Sequence, residues 1–153
     1  MALLAAGGFV VAGCSAPGPE EVTFFANGTT VQVAPVRTCD PEAAQLTCSE
    51  VDLGKAGKLK VRPGQPIQIS VPGAVAKGLW QVTLQNIDAS GQLQQPRQPQ
   101  LITSGETYAY TVTPPTGGEQ TVVVEVAQVA ARQASDGIQL IPAASWSLQV
   151  DPA

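Results

Sequence analysis

Apolar residues recur at every second position through most of this chain, and a period of two restricts those segments to strands with one buried face. Val22 and Phe24 alternate before Asn27-Gly28, a dipeptide suited to the positive φ angles of a tight hairpin, and Val31 and Val33 follow. Leu59 and Val61 alternate with Lys58, Lys60 and Arg62, and Ile67, Ile69 and Val71 with Gln68 and Ser70. Trp80, Val82 and Leu84 alternate with Gln81, Thr83 and Gln85; Tyr108, Tyr110 and Val112 form a further run. Pro114 to Gly118 reads as a turn, Val122 to Val129 as a strand, and Trp146, Leu148 and Val150 as one face of the last strand. Between them, Val126 to Ala134 loses the alternation, so either a bulge or a short helix is expected there. Pro63, Pro66, Pro72 and Pro114 stand at the ends of runs, where a missing N–H breaks no ladder.

Short strands punctuated by turn residues, with no alternating helices, imply an all-β fold: a two-layer antiparallel β-sandwich. An immunoglobulin-like topology fits a buried Trp80 in a mid-chain strand, but Cys39 and Cys48 are too close in sequence to bridge distant strands as the inter-sheet disulfide of that architecture does.

The amino terminus has a different character. Residues 2–13 are apolar and small, and Val11-Ala12-Gly13-Cys14 has the pattern of a lipobox, which predicts a lipoprotein signal peptide over 1–13 and diacylation of the Cys14 thiol. The run is too short for a bilayer-spanning helix, which takes about 20 apolar residues. No Lys or Arg precedes Arg37, whereas a signal opens on a basic region, so a translation start upstream of Met1 is expected. Two acyl chains hold a protein stably on the outer leaflet of the cytoplasmic membrane. Residues 14–21 then form a short tether, of which Ser15 to Glu20 reaches only about 20 Å when extended at about 3.3–3.6 Å per residue. Residues 22–153 remain for one β-sandwich domain, and the mature chain of about 140 residues is close to the common size of a single domain.

An extracytoplasmic location is oxidising, so Cys39 and Cys48, the two cysteines left after lipidation, are expected to form a disulfide. The chain has no histidine, which excludes Ser-His and Cys-His nucleophiles and removes the usual zinc ligand. Ser-x-x-Lys, Gly-x-Ser-x-Gly and phosphate-binding glycine loops are also missing. No enzyme activity, metal or cofactor is therefore expected. Asp40, Glu42, Glu50 and Asp52 flank the cysteine loop, but their spacing matches no calcium loop, and solvation of a surface loop is the expected role. A net charge of −4 with 13% charged residues offers no electrostatic footprint for nucleic acid.

Lys58, Lys60 and Arg62 fall on one face of their strand. Two roles fit them: contact with anionic head groups or envelope polymers, and protection of an edge strand against aggregation. The tyrosines and tryptophans sit in step with the core face, so packing rather than ligand stacking is expected of them. Residues 92–100, rich in Gln and Pro, are expected to form a solvated loop.

With these segments laid out, the chain resembles a family of short actinobacterial lipoproteins grouped as a domain of unknown function, number 2771. The resemblance is carried by VAGCS, EVTFFANGTTVQVAPVRTCD, LKVRPGQPIQISVPGAVAKGLWQV, SGETYAYTV and SWSLQV, in that order. It implies an envelope-anchored lipoprotein with no established activity or ligand, and no functional residue beyond Cys14. The expected function is a membrane-anchored, non-enzymatic module that binds another envelope protein; a carrier or sensor of a lipid or other envelope ligand is the alternative.

Overall fold

The computed structural model describes residues 20–96, 100–103, 105 and 107–153. The first hairpin joins β1 (Val22–Ala26) to β2 (Thr29–Val33) through Asn27 and Gly28, both at positive φ, 51° and 74°. That is the primed turn whose twist matches two antiparallel strands, and it sets Phe24 opposite Val31. The cysteine loop, expected to be irregular, contributes two short strands, β3 (Arg37–Asp40) and β4 (Thr47–Cys48), whose register places Cys39 directly opposite Cys48 in a disulfide.

The alternating segments then follow as β5 (Gly57–Val61), β6 (Ile67–Ser70), β7 (Leu79–Ile87) and β9 (Ala109–Val112), and a strand that the alternation did not mark, β8 (Gln100–Ile102), begins on the last residue of the expected Gln- and Pro-rich loop and pairs with β7. A single helical turn, α1 (Gly73–Ala76), links β6 to β7 and buries Val75 and Ala76 at one end of the core. The chain ends in two long strands, β10 (Gln120–Ala134) and β11 (Gly137–Pro152). β10 runs on as a strand through Val126 to Ala134; its register with β11 slips between Gln128 and Val129, where the extra residue is Ala143 of β11, so Val129 faces Pro142. Pro142 is tolerated inside β11 because it lies at this irregularity, beyond the reach of β3, which pairs with β11 only at Ala144 and Ser145.

The strands form a sandwich of two sheets, one of four strands in the order β2-β1-β6-β9 and one of seven along the path β4-β3-β11-β10-β7-β8, with β5 on β11. The inner rows β1-β6-β9 and β11-β10-β7-β8 follow the A-B-E and G-F-C-C′ orders of immunoglobulin-like sandwiches. Neighbouring strands are antiparallel except β5, which runs parallel to β11. Inward residues of both sheets make one core around Phe24, Ile67, Ile69, Trp80, Trp146 and Leu148. Burying a side chain of this size contributes about 1.5–3 kcal/mol, so these six positions account for much of the stability.

The sandwich closes on one side, where Gly57 of β5 meets Val31 and Val33 of β2. On the other side, β8 and β9 end their sheets.

Candidate functional site

Side chains on the outer face of the seven-stranded sheet alternate with the core residues. In β10, Val124 and Val126 point inward, so Glu125, Ala127 and, past the bulge, Val129 point outward; in β11, Ser145 and Ser147 flank the inward Trp146. The register sets Glu125 between Ser147 on β11 and Thr83 on β7, and Ala127 between Ser145 and Gln81.

The segment after β4 passes over this face and carries Val51 and Leu53, while Val36 and Leu140 stand at other points of the margin. Together they enclose a cleft of about 480 Å³ with a polar floor of Gln81, Glu125, Ser145 and Ser147 and an apolar rim. Its volume lies within the usual range for binding sites, about 300–1,000 Å³.

Three features give the floor its chemistry. Glu125 is exposed on this floor, yet neighbouring atoms remove part of its hydration, and this partial desolvation raises its carboxyl pKa above the ordinary glutamate value of 4.5. Ser147 is only 9% exposed and stands directly opposite Glu125 on the lining. Among the described residues Arg37 is the one other charged residue on the lining. Its Cα sits one row and two strands from that of Glu125, more than about 10 Å along the backbone grid at about 4.8 Å per strand and about 3.4 Å per residue. Among the described residues the one ion pair is Lys55–Asp52, at 3.7 Å, so Arg37 does not neutralise Glu125.

The β10–β11 hairpin continues beyond this face. Past Val129 and Ala144, neither strand pairs with β7 or β3, leaving a two-stranded ribbon that turns at Ser135 and Asp136. Arg132 ties the ribbon to the cysteine loop by donating to the carbonyl oxygens of Ala43 and Ala44, at 3.4 and 3.0 Å. Ile138 on the ribbon is 74% exposed, and Leu53 on the cleft rim is 70% exposed.

A second opening lies between the sheets at the β8 and β9 edges, lined by Val82, Leu84, Tyr110 and Val112. At about 230 Å³ it is smaller than most ligand pockets. Trp80 closes the core beside it, packing edge-on against Tyr110 with centroids 6.5 Å apart; its indole N–H has no hydrogen-bond partner among the described residues.

The residues singled out in the sequence lie away from the cleft floor. Cys14 is outside the described residues, as are Met1 to Gly13. Lys58, Lys60 and Arg62 are exposed on the outer side of β5 and just beyond it, with Lys58 opposite Gln149 and Lys60 opposite Asp151. Asp40 accepts from the backbone N–H of Glu42, and Asp52 accepts from that of Gly54 and pairs with Lys55. Of the aromatic residues expected in the core, Trp80 and Trp146 are there, but Tyr108 is exposed, because β9 begins one residue later at Ala109. In the Gln- and Pro-rich stretch, Leu93 bridges to Ile87 and Gln94 donates to Asp88, while residues 97–99 are outside the described residues.

Glu125 is the residue that sequence reasoning passed over. A lone carboxylate in the run Val122-Val-Val-Glu-Val-Ala127 was the available signal: it marks an outward position on a strand that is otherwise apolar.

The family model described as Protein of unknown function (DUF2771) matches residues 15–151. No match was found among curated proteins or among solved structures. With residues 15–151 covered, nearly its whole length, this chain belongs to the DUF2771 family of proteins of unknown function.

Proposed function

We propose that this protein is a membrane-anchored, extracytoplasmic lipoprotein whose domain binds another envelope protein and performs no catalysis of its own. The anchor rests on the lipobox at Val11 to Cys14. Trp146 holds the carbonyl of Glu20, so the chain between Cys14 and this fixed point reaches about 20 Å at most, which keeps the domain close to the bilayer.

The observation that carries the binding role is the apolar-rimmed cleft on the outer sheet face. Exposed apolar surface of this kind marks interaction sites on soluble domains. Among the described residues Glu125 is the sole carboxylate on its lining, whereas carboxylate hydrolysis needs two. The carrier reading has less support, because the opening between the sheets is about 230 Å³ and the core beside it is filled by Trp80.

Photo-crosslinking in living cells tests the proposal, with a photoreactive residue at Leu53 and adducts identified by mass spectrometry in the native and Cys14→Ala forms. A recurrent protein adduct that needs the anchor is the expected result. Lipid or glycan adducts without a constant protein would overturn it in favour of the carrier. Retention of the Cys14→Ala form on salt-washed membranes would remove the anchor.

A further inference from the structure

We propose that the cleft over β10 and β11 seats a basic side chain of a partner protein, with Glu125 pairing the cation and Val51, Leu53 and Leu140 packing against apolar residues beside it. This deepens the reading above and rests on it. The floor offers Glu125 beside two serine hydroxyls and the Gln81 amide, all acceptors for an ammonium or guanidinium group. Ser147, 9% exposed and directly opposite Glu125, puts its hydroxyl on the same floor.

Charge selects the occupant. Among the described residues no cation pairs with Glu125, and its partial desolvation would strengthen a hydrogen bond to an incoming cation. Arg37, across the cleft, is placed to hold a backbone carbonyl or carboxylate of the same segment. An anionic head group would meet the Glu125 carboxylate on the floor, which argues against a membrane lipid as occupant. Extent selects the class: apolar exposure continues from Leu53 on the rim to Leu140 and Ile138 on the ribbon, so the surface is wider than the cleft. A surface that extends past its pocket suits a macromolecule whose one side chain enters it.

The test is panning of a random 12-residue peptide library on the full chain in detergent, followed by affinity measurement on the variants. The expected peptides share a Lys or Arg flanked by apolar residues. Glu125→Gln, nearly the same shape, should weaken them about tenfold or more, the loss of one charge-assisted pair. Leu53→Ser, at a position 70% exposed and safe for folding, should also weaken them severalfold. Lys58→Gln, on β5 outside the cleft, should leave binding unchanged.

Peptides without a basic residue, binding indifferent to Glu125→Gln, or no enriched peptide would each overturn the proposal. If the anchored protein adduct in cells persists with Glu125→Gln, the cleft assignment fails and the accessory role stands. If native protein gives no constant protein adduct, the accessory role itself fails.

Discussion

The indole N–H of Trp146 donates to the carbonyl oxygen of Glu20 at 2.9 Å, joining the entry of the chain to its last strand. The ring is 1% exposed and faces the core, so one side chain both fills the sandwich and holds the backbone at Glu20. Trp146→Phe keeps an aromatic ring but loses the donor and part of the volume. It should cost about 1–3 kcal/mol, of which the hydrogen bond supplies about 0.5–1.5. At about 2–4 °C per kcal/mol the loss is visible in a thermal melt, and amide exchange at Glu21 and Val22 should rise with it. An unchanged melt would mean that Glu20 is held by something else.

Gly57 lets β5 close the sandwich. A Cβ there would lie 2.5 Å from Val33 Cγ2 and 2.9 Å from Val31 Cγ1, closer than buried atoms approach. Gly57→Ala should therefore destabilise by about 1–3 kcal/mol through overpacking, although alanine suits a strand better than glycine does. Chemical denaturation of the two forms checks this, and Gly57→Ala combined with Val33→Ala should recover part of the loss if the clash is its cause.

The Cys39–Cys48 bridge closes a short loop that Arg132 also holds from the ribbon. In the chain-entropy model a loop of about 10 residues gains about 2–3 kcal/mol from its disulfide. Cys39→Ser with Cys48→Ser should lower the melting temperature accordingly. Arg132→Ala, which removes only the two carbonyl contacts, should instead leave the melt within about 1 kcal/mol and increase proteolysis between Pro41 and Leu46. Equal protection of that loop in both forms would assign its order to neither contact.

Glu125 makes a pH prediction with a definite sign. Desolvation raises its carboxyl pKa in the folded state, so the native protein binds this proton more tightly than the unfolded chain. Its contribution to stability is then fully present below the ordinary value of 4.5 and is lost as the pH rises through the higher folded value. Glu125→Gln should flatten that part of the pH–stability curve and match or exceed native stability at pH 7. A steeper loss of stability above the glutamate range in the variant would contradict the desolvated environment.

Much of the sandwich was legible in the chain. The period of two located β1, β2, β5, β6, β7 and the last strand, and Asn27-Gly28 marked the first hairpin, because alternation and turn chemistry are local properties. Local properties also paired Cys39 with Cys48 and left a bulge open as a reading of Val126 to Ala134.

What the chain could not announce was which strands become neighbours. The cysteine loop carries β3 into the larger sheet because Arg37 and Thr38 find free backbone groups on β11 near Ser145 and Ala144, more than a hundred residues away. Tyr108 is in phase with Tyr110 yet exposed, since pairing with β6 sets where β9 begins. Glu125 is in the sequence merely a charge on a strand. It becomes the floor of a cleft when β11 and β7 flank it and residues from before β5 form the rim. Strands, the hairpin turn and the faces they bury follow from residues within a few positions of one another, so they can be read along the chain. The cleft arises only on folding, because enclosure and partial desolvation come from side chains that are distant along the chain.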